Sequence, residues 1–326
     1  MNRDSSKILD KVSIVIPTYN EEEAIGRVLD EILSLGIPPE RIIVVDGYST
    51  DSTVEIARSR GVKVIYQNGS GKSDAIKTAI QHIETPYVLV MDGDYTYPAK
   101  YIPDLVRKAV DKGYAEVIGV RKWGRENIPL INRFGNWLLT KIFNLLFGTN
   151  LKDLLSGMYV VKTSILKRQI LETRGFSIES EIAAAVASSF GGLIGEVPIE
   201  YRRRIGRKKL KIAHGLRIFL DIVKLAWKHN PVFFITFLGS LVLIPGIAIA
   251  VWVFLHYILY GIRLYIWGIV AVILIVSGFH SFLLAILALY LKRMEWRIHK
   301  NIYLMREHIL DDLRREPRSR SMKGYE

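Results

Sequence analysis

The chain has 326 residues, half of them hydrophobic, and 45 Lys/Arg against 32 Asp/Glu give it a net charge of +13. That length and composition exclude a disordered chain and allow one sizeable core with added elements, or two domains. It has no cysteine, which excludes disulfides, thiolate zinc sites, iron–sulfur clusters and a cysteine nucleophile.

The N-terminal stretch up to Pro17 has only a short apolar run and does not read as a signal peptide. Val12–Ile16 is rich in β-branched residues and predicts a strand, followed by the polar turn Pro17–Asn20. Three glutamates, Glu21–Glu23, then precede apolar residues at Ile25, Leu29, Ile32 and Leu35. This predicts a helix capped by Asn20, its acids facing the positive end of the dipole. Further strands are predicted at Ile42–Val45, Val62–Tyr66, Tyr87–Met91 and Glu116–Val120. Helices are predicted at Ser52–Ser59, 72–83 and Tyr101–Lys112. Alternation of this kind implies an α/β domain with a doubly wound, mostly parallel sheet. No GxGxxG follows the first strand and no GxxxxGK[ST] occurs, which disfavours ordinary dinucleotide and P-loop sites.

Ligands of such sheets bind beyond the carboxyl ends of the strands. Three polar clusters fall there: Pro17–Glu21, Asp46–Asp51 and Asp92–Asp94. In the last, two carboxylates separated by one glycine can approach a single hard cation. Mg2+ and Mn2+ prefer oxygen ligands of this kind and share them with substrate phosphates.

The C-terminal third differs in kind. Pro231–Ile262 is 32 residues without a charge, and after Arg263 comes a second such run, Leu264–Leu291, of 28. Each exceeds the roughly 20 helical residues that span a bilayer. They predict a transmembrane hairpin, with helices at about 232–260 and 264–291. The charge excess flanks it. Residues 201–229 hold ten Lys/Arg and one acid, and residues 292–326 hold ten and six, whereas residues 1–200 carry −1. Basic flanks stay cytoplasmic. The expectation is therefore a multi-pass cell-membrane protein whose N-terminal domain and both hairpin flanks face the cytoplasm. Beside two spans, the basic stretch suits anionic lipid headgroups better than nucleic acid. Ile212, Leu216, Phe219 (or Leu220), Val223 and Trp227 recur at helical spacing among Lys and Arg. They predict an amphipathic membrane-surface helix over 212–230. The expected layout is a catalytic domain at 1–211, that helix, the hairpin within 231–291 and a basic tail at 292–326. The part of the tail beyond Arg315 is expected to be disordered.

Eight segments then carry a family resemblance: VSIVIPTYNEEE (12–23), VVDGYSTDST (44–53), GKSDAI (71–76), VMDGDYTYP (90–98), GVR (119–121), DLLSGMY (153–159), GFSIESEI (175–182) and EVPIEYRRRIGRKKLK (196–211). Together they resemble the family 2 glycosyltransferases of GT-A fold, of the dolichyl- or polyprenyl-phosphate sugar synthase type. Their wording is most similar to archaeal members linked to protein glycosylation. The resemblance implies an inverting, metal-dependent hexosyltransferase. It would move a hexose or N-acetylhexosamine from a nucleotide sugar to dolichyl or polyprenyl phosphate with Mg2+ or Mn2+. A UDP-sugar is the favoured donor and GDP-mannose the alternative. A glycolipid or polysaccharide synthase with a hydroxyl acceptor, and a non-enzymatic membrane scaffold, are the other readings. By resemblance, Pro17, Tyr19, Glu21, Asp46, Lys72 and Asp92 match nucleotide-binding positions. Asp92 and Asp94 match the metal motif, and Arg121 and Arg133 match acceptor-phosphate positions. Ser156 and Glu181 match active-site positions, while Arg202, Arg204 and Lys209 match a mobile basic loop. The chain departs from the pattern at Gly47, Thr96 and Lys208, where the family often carries an acid, a glutamine and a serine.

Overall fold

The computed structural model describes residues 8–168, 178–189, 193–206 and 213–315. The chain divides into two compact units, residues 1–229 and 230–326.

The first unit is built on a seven-stranded sheet of order β3-β2-β1-β4-β6-β5-β7. The strands are β1 Val12–Thr18, β2 Ile42–Asp46, β3 Lys63–Tyr66, β4 Tyr87–Val90, β5 Glu116–Trp123, β6 Tyr159–Lys162 and β7 Ile194–Glu200. The pairs β1–β2, β1–β4, β2–β3 and β5–β7 are parallel, and β6 runs antiparallel to both its neighbours. Every residue of β2 and β4 is buried, as expected of strands covered on both faces. The core gathers Ile14, Ile16, Val44 and Leu89 from the sheet with Ile25, Leu29 and Ile32 from helix Glu22–Ser34 and Leu105 from helix Ile102–Lys112. At about 25 cal/mol per Å2 of apolar surface removed from water, such side chains dominate the unit's stability.

The expected Asn20 cap is not what starts the first helix. The N-cap position is Glu21, with no side-chain cap of its own. The first amides are satisfied from the next strand-end loop instead: Glu21 N donates to Thr53 Oγ1 (2.8 Å) and Glu22 N to Asp51 Oδ2 (3.2 Å). Asn20 turns away in left-handed conformation (φ 50°), and its Oδ1 accepts from Thr50 N at 2.8 Å. These cross-loop bonds tie the ends of β1 and β2 together.

Helix Ala213–His229 has two apolar faces. Ile218, Ile222, Leu225 and Ala226 are buried within the unit, whereas Leu216, Leu220 and Trp227 are exposed. Beside it packs helix Leu130–Phe147, which the sequence reading left unassigned. That helix exposes Leu130, Ile131, Phe134 and Trp137.

The second unit is a helical hairpin of Pro231–Tyr260 and Tyr265–Arg315. The predicted second span is thus the first half of a helix that continues to Arg315; the segment beyond lies outside the described residues. Pro231–Tyr260 and Tyr265–Leu291 are long and apolar enough to cross a membrane, and only 11% and 17% of their most apolar windows are buried. The two helices approach closely at Gly278, where a Cβ would stand 2.7 Å from that of Leu243. His256 and His280 each place Nδ1 near the carbonyl four residues back (3.2 and 3.0 Å).

Candidate active site

Because β1, β2 and β4 are parallel neighbours, their carboxyl ends open onto one edge of the sheet. Pro17 sits within β1 opposite Val45, and Thr18 opposite Asp46. Asp46 is fully buried; its carboxylate accepts from Ser49 N (2.8 Å) and Ser49 Oγ (2.5 Å). Ser49 Oγ in turn accepts from Asn20 N at 2.9 Å. Tyr19, Tyr48 and Tyr66, at the ends of β1, β2 and β3, are exposed. Tyr48 stacks on Tyr66 with ring centroids 5.4 Å apart and 19° between planes. The described non-glycine residues at positive φ are Asn20, Tyr48 (64°) and Tyr95 (68°), all in these strand-end loops. Backbone held there costs about 1–3 kcal/mol per residue and concentrates at functional sites.

The Asp92–Asp94 turn follows β4 directly. Asp94 is buried. Its Oδ1 accepts from Thr96 N (3.1 Å) and Thr96 Oγ1 (2.5 Å), and its Oδ2 meets Arg204 Nη1 at 3.0 Å. Thr96, where the family often has glutamine, therefore fastens the second carboxylate. Arg204 also reaches Glu21 Oε1 at 2.8 Å, so one guanidinium is held between two buried carboxylates. Burial, and then the neighbouring Asp92 charge, push the Asp94 carboxyl above its ordinary range, against the pull of Arg204 and Thr96.

Asp92 is more open. Its Oδ1 accepts from Lys72 Nζ at 2.6 Å, and the same ammonium meets Glu179 Oε1 at 2.5 Å. Burial opposes the charge on Lys72, but Asp92 and Glu179 outweigh it and hold the ammonium well above the usual lysine range. Asp92 also packs against the backbone at Gly157, where any Cβ would collide with its carboxylate. Close approach explains that glycine. Lys72, expected at a nucleotide-binding position, thus lies on the carboxylate motif.

Arg121 leaves β5 where the register to β7 shifts, an irregularity that re-aims side chains near sites. Its Nε and Nη2 contact the Asp153 carboxylate at 2.7 and 2.5 Å, and Nη2 also reaches Leu155 O at 3.1 Å. Both partners are under 10% exposed. Burial weakens the Arg121 charge, and Asp153 more than restores it. Arg121 also lies over the Tyr201 ring at 5.6 Å. Ser156 is buried, its hydroxyl donating to Gly119 O at 2.5 Å. Arg133 stands exposed on helix Leu130–Phe147, and Glu181 is buried in helix Ile178–Ser188. Arg202 pairs with Glu31 at 2.6 Å and lies over the Tyr95 ring at 4.6 Å. Lys209 falls outside the described residues.

The structure therefore joins Glu21, Asp94 and Arg204 in one contact set and Lys72 and Asp92 in another. It brings Arg133, Ser156 and Glu181 into neither by any contact described above. Sequence reasoning passed over Glu179, Asp153, Glu31 and Tyr97. Asp153 opens the DLLSGMY segment, and Glu179 stands two residues before Glu181, so each lay within a quoted motif. The Tyr97 hydroxyl accepts from Gly157 N at 2.7 Å, and burial pushes its ionisation well upward.

Residues 13–175 match the family described as glycosyl transferase family 2. Glycosyltransferase AglJ of Haloferax volcanii is 31% identical over 285 residues, covering 86% of this chain and 93% of that protein. The dolichyl-phosphate hexose transferase of the same organism is 37% identical over 224 residues, covering 68% and 96%. An undecaprenyl-phosphate 4-deoxy-4-formamido-L-arabinose transferase of Edwardsiella ictaluri is 27% identical over 257 residues, covering 75% and 76%. Among solved structures, glucosyl-3-phosphoglycerate synthase of Mycobacterium tuberculosis with Mn2+, UDP and its product superposes with a TM-score of 0.56. The identity is 21%, over 69% of this chain and 83% of that one. The shared architecture is the GT-A fold.

Proposed function

The chain belongs to glycosyltransferase family 2, and from that premise we propose that it transfers a hexose or N-acetylhexosamine from a nucleotide sugar to dolichyl or polyprenyl phosphate. The observation that carries this reading is the Asp92–Asp94 turn with Lys72 on one carboxylate and Arg204 on the other. Such a site suits a diphosphate whose charge grows as it leaves. The names of the Haloferax and Edwardsiella relatives supply the lipid-phosphate acceptor. The Mycobacterium synthase binds UDP with Mn2+ on this fold, and a UDP-linked donor is our choice, with GDP-mannose the runner-up.

In the reaction an acceptor phosphate oxygen forms a bond to the anomeric carbon while the bond to the donor diphosphate breaks. The nucleoside diphosphate departs with that electron pair, and the anomeric configuration inverts. A lipid phosphate is already anionic, so it needs little help from a general base. It does need its repulsion by the donor offset. Arg121 is oriented by Asp153 for that task, Arg133 stands exposed, and Arg204 is within reach of both Asp94 and Glu21. Preorganised charges of this kind act where charge develops. Tyr48 and Tyr66 offer an exposed stacking surface to the nucleobase beside Asp46.

A divalent cation fits the residues present. Asp94 and Glu21 already accept a guanidinium, and carboxylate oxygens suit Mg2+ or Mn2+. Among the described residues no cluster of three or more His, Asp or Glu converges on one point. Asp92 and Asp94 would hold the cation, and it would neutralise charge on the departing diphosphate.

Two helices with exposed apolar side chains, Leu130–Phe147 and Ala213–His229, support a lipid-facing surface on the catalytic unit. The span-length helices that follow, with basic flanks, support a multi-pass protein whose catalytic unit is cytoplasmic. The test is a panel of labelled nucleotide sugars offered to the purified protein with dolichyl phosphate. One donor is expected to yield a lipid product whose sugar is released by mild acid, as from a phosphodiester. An acid-stable product would instead indicate a hydroxyl acceptor.

A further inference from the structure

The carboxylate motif is held from behind by a buried charge relay that spans three elements. Lys72 begins helix Lys72–Ile80, Asp92 follows β4, and Glu179 lies in the first turn of helix Ile178–Ser188. The side chains of Lys72 and Glu179 are 10% and 8% exposed, against 30% for Asp92. Only Asp92 is positioned to meet solvent or ligand. We propose that Glu179 is a positioning residue for Asp92, acting through Lys72 to keep that carboxylate oriented and available to the donor's cation.

Charge accounting supports this. Lys72 and Asp92 alone would form a closed, neutral pair, with the ammonium spent on the one carboxylate that must face a cation. Glu179 takes a share of the same ammonium at 2.5 Å, so the triad carries net −1 and its least buried member is Asp92. With Oδ1 on Lys72 and the carboxylate seated against Gly157, Asp92 has little freedom to turn. Groups that orient a cation's ligands commonly contribute as much to its binding as this implies.

Glu179 sits in a pocket that disfavours a further charge. Glu116 and Tyr159 are buried beside it, and neither Glu116 Oε2 nor the Tyr159 hydroxyl has a hydrogen-bond partner among the described residues. Burial, with a further push from Glu179, raises the Glu116 carboxyl to about 8. A third acid in that pocket adds repulsion, and buried ion pairs seldom gain stability over apolar packing. Its evident return is the contact with Lys72.

The inference rests on the reading of Asp92 and Asp94 as the cation-binding pair. Mn2+ binding to full-length protein in detergent with UDP is measured by electron paramagnetic resonance titration, with UDP binding in the absence of metal measured alongside. Glu179→Gln is expected to weaken Mn2+ binding about 10- to 100-fold without weakening metal-free UDP binding, since the variant removes a negative charge from the site. In a Lys72→Met background the same substitution is expected to have little further effect, because the route is already cut. Glu179→Asp keeps the charge with a shorter reach and should fall between wild type and Gln; it serves as the probe if Gln compromises the unfolding midpoint. Mn2+ affinity unchanged in both Glu179 variants overturns the proposal. So does an equal loss with and without Lys72, which would mean that Glu179 acts on the ligand directly. A wild-type protein that binds no Mn2+ with UDP overturns the cation reading itself and this inference with it.

Discussion

Removing the Asp153 carboxylate would leave the Arg121 guanidinium buried with most of its bonds unmade. Asp153 accepts from Arg121 Nε, Nη2 and backbone N at 2.7, 2.5 and 3.1 Å, and the two side chains are 8% and 6% exposed. An exposed pair would be worth about 0–1 kcal/mol. Breaking a buried one by deleting a single partner costs about 3–5 kcal/mol, because the remaining charge is stranded. Asp153→Ala should therefore fall in the second range. For a domain of this size that is roughly a 6–20 °C drop in the unfolding midpoint. The assay is thermal unfolding of the detergent-solubilised full-length protein, followed by near-ultraviolet circular dichroism. The paired replacement Arg121→Met with Asp153→Leu removes both charges and should recover most of the lost stability. It should also abolish sugar transfer, because the proposed function gives that guanidinium the task of meeting the acceptor phosphate. A loss below about 1 kcal/mol in Asp153→Ala would refute the argument that the pair is buried and coupled. Full activity in the stable double variant would refute its role in the reaction.

Three further outcomes follow from the same geometry. The folded Glu116 carboxyl titrates near 8 against an ordinary 4.5, so the folded state holds one more proton than the unfolded state between those values. Its stabilising effect is full below pH 4.5 and is lost as pH rises through about 8, at up to about 1.4 kcal/mol per pH unit. Glu116→Gln should flatten that slope in unfolding curves taken across the window. Tyr48→Ala removes one ring of the exposed stacked pair. It should weaken nucleotide binding by about 1–3 kcal/mol in a fluorescence titration, with Tyr48→Phe close to wild type. Arg204→Gln frees Asp94 and Glu21 from their guanidinium. Mn2+ binding without nucleotide should tighten while UDP binding weakens, which calorimetry would separate.

Strands β1 to β5 were legible because each is a short run of β-branched residues bounded by polar turns. β6 and β7 were not. Tyr159–Lys162 is four residues long and adjoins a segment read for its chemistry, and its antiparallel place between β4 and β5 is set by distant partners. The first helix cap was misjudged for a similar reason: the caps come from Asp51 and Thr53, about 30 residues away. Helix Ala213–His229 was legible as an amphipathic stripe through Leu216, Leu220 and Trp227. Its second, buried stripe through Ile218 and Ile222 was missed because spacing alone cannot say which apolar face meets protein. At the site, Asp92 and Asp94 announce themselves by position after a strand. Which cation each would meet was hidden, since Lys72 and Arg204 are separated from Asp92 and Asp94 by 20 and 110 residues of chain.

The most direct test of the account is sugar transfer by the purified full-length protein into a solvent-extractable lipid, with Mn2+, dolichyl phosphate and the labelled donor selected by the panel. The account predicts transfer by the wild type that depends on dolichyl phosphate and is lost on metal chelation and in Asp94→Ala. Transfer that persists at wild-type rate in Asp94→Ala, or that proceeds without the lipid phosphate, would contradict it.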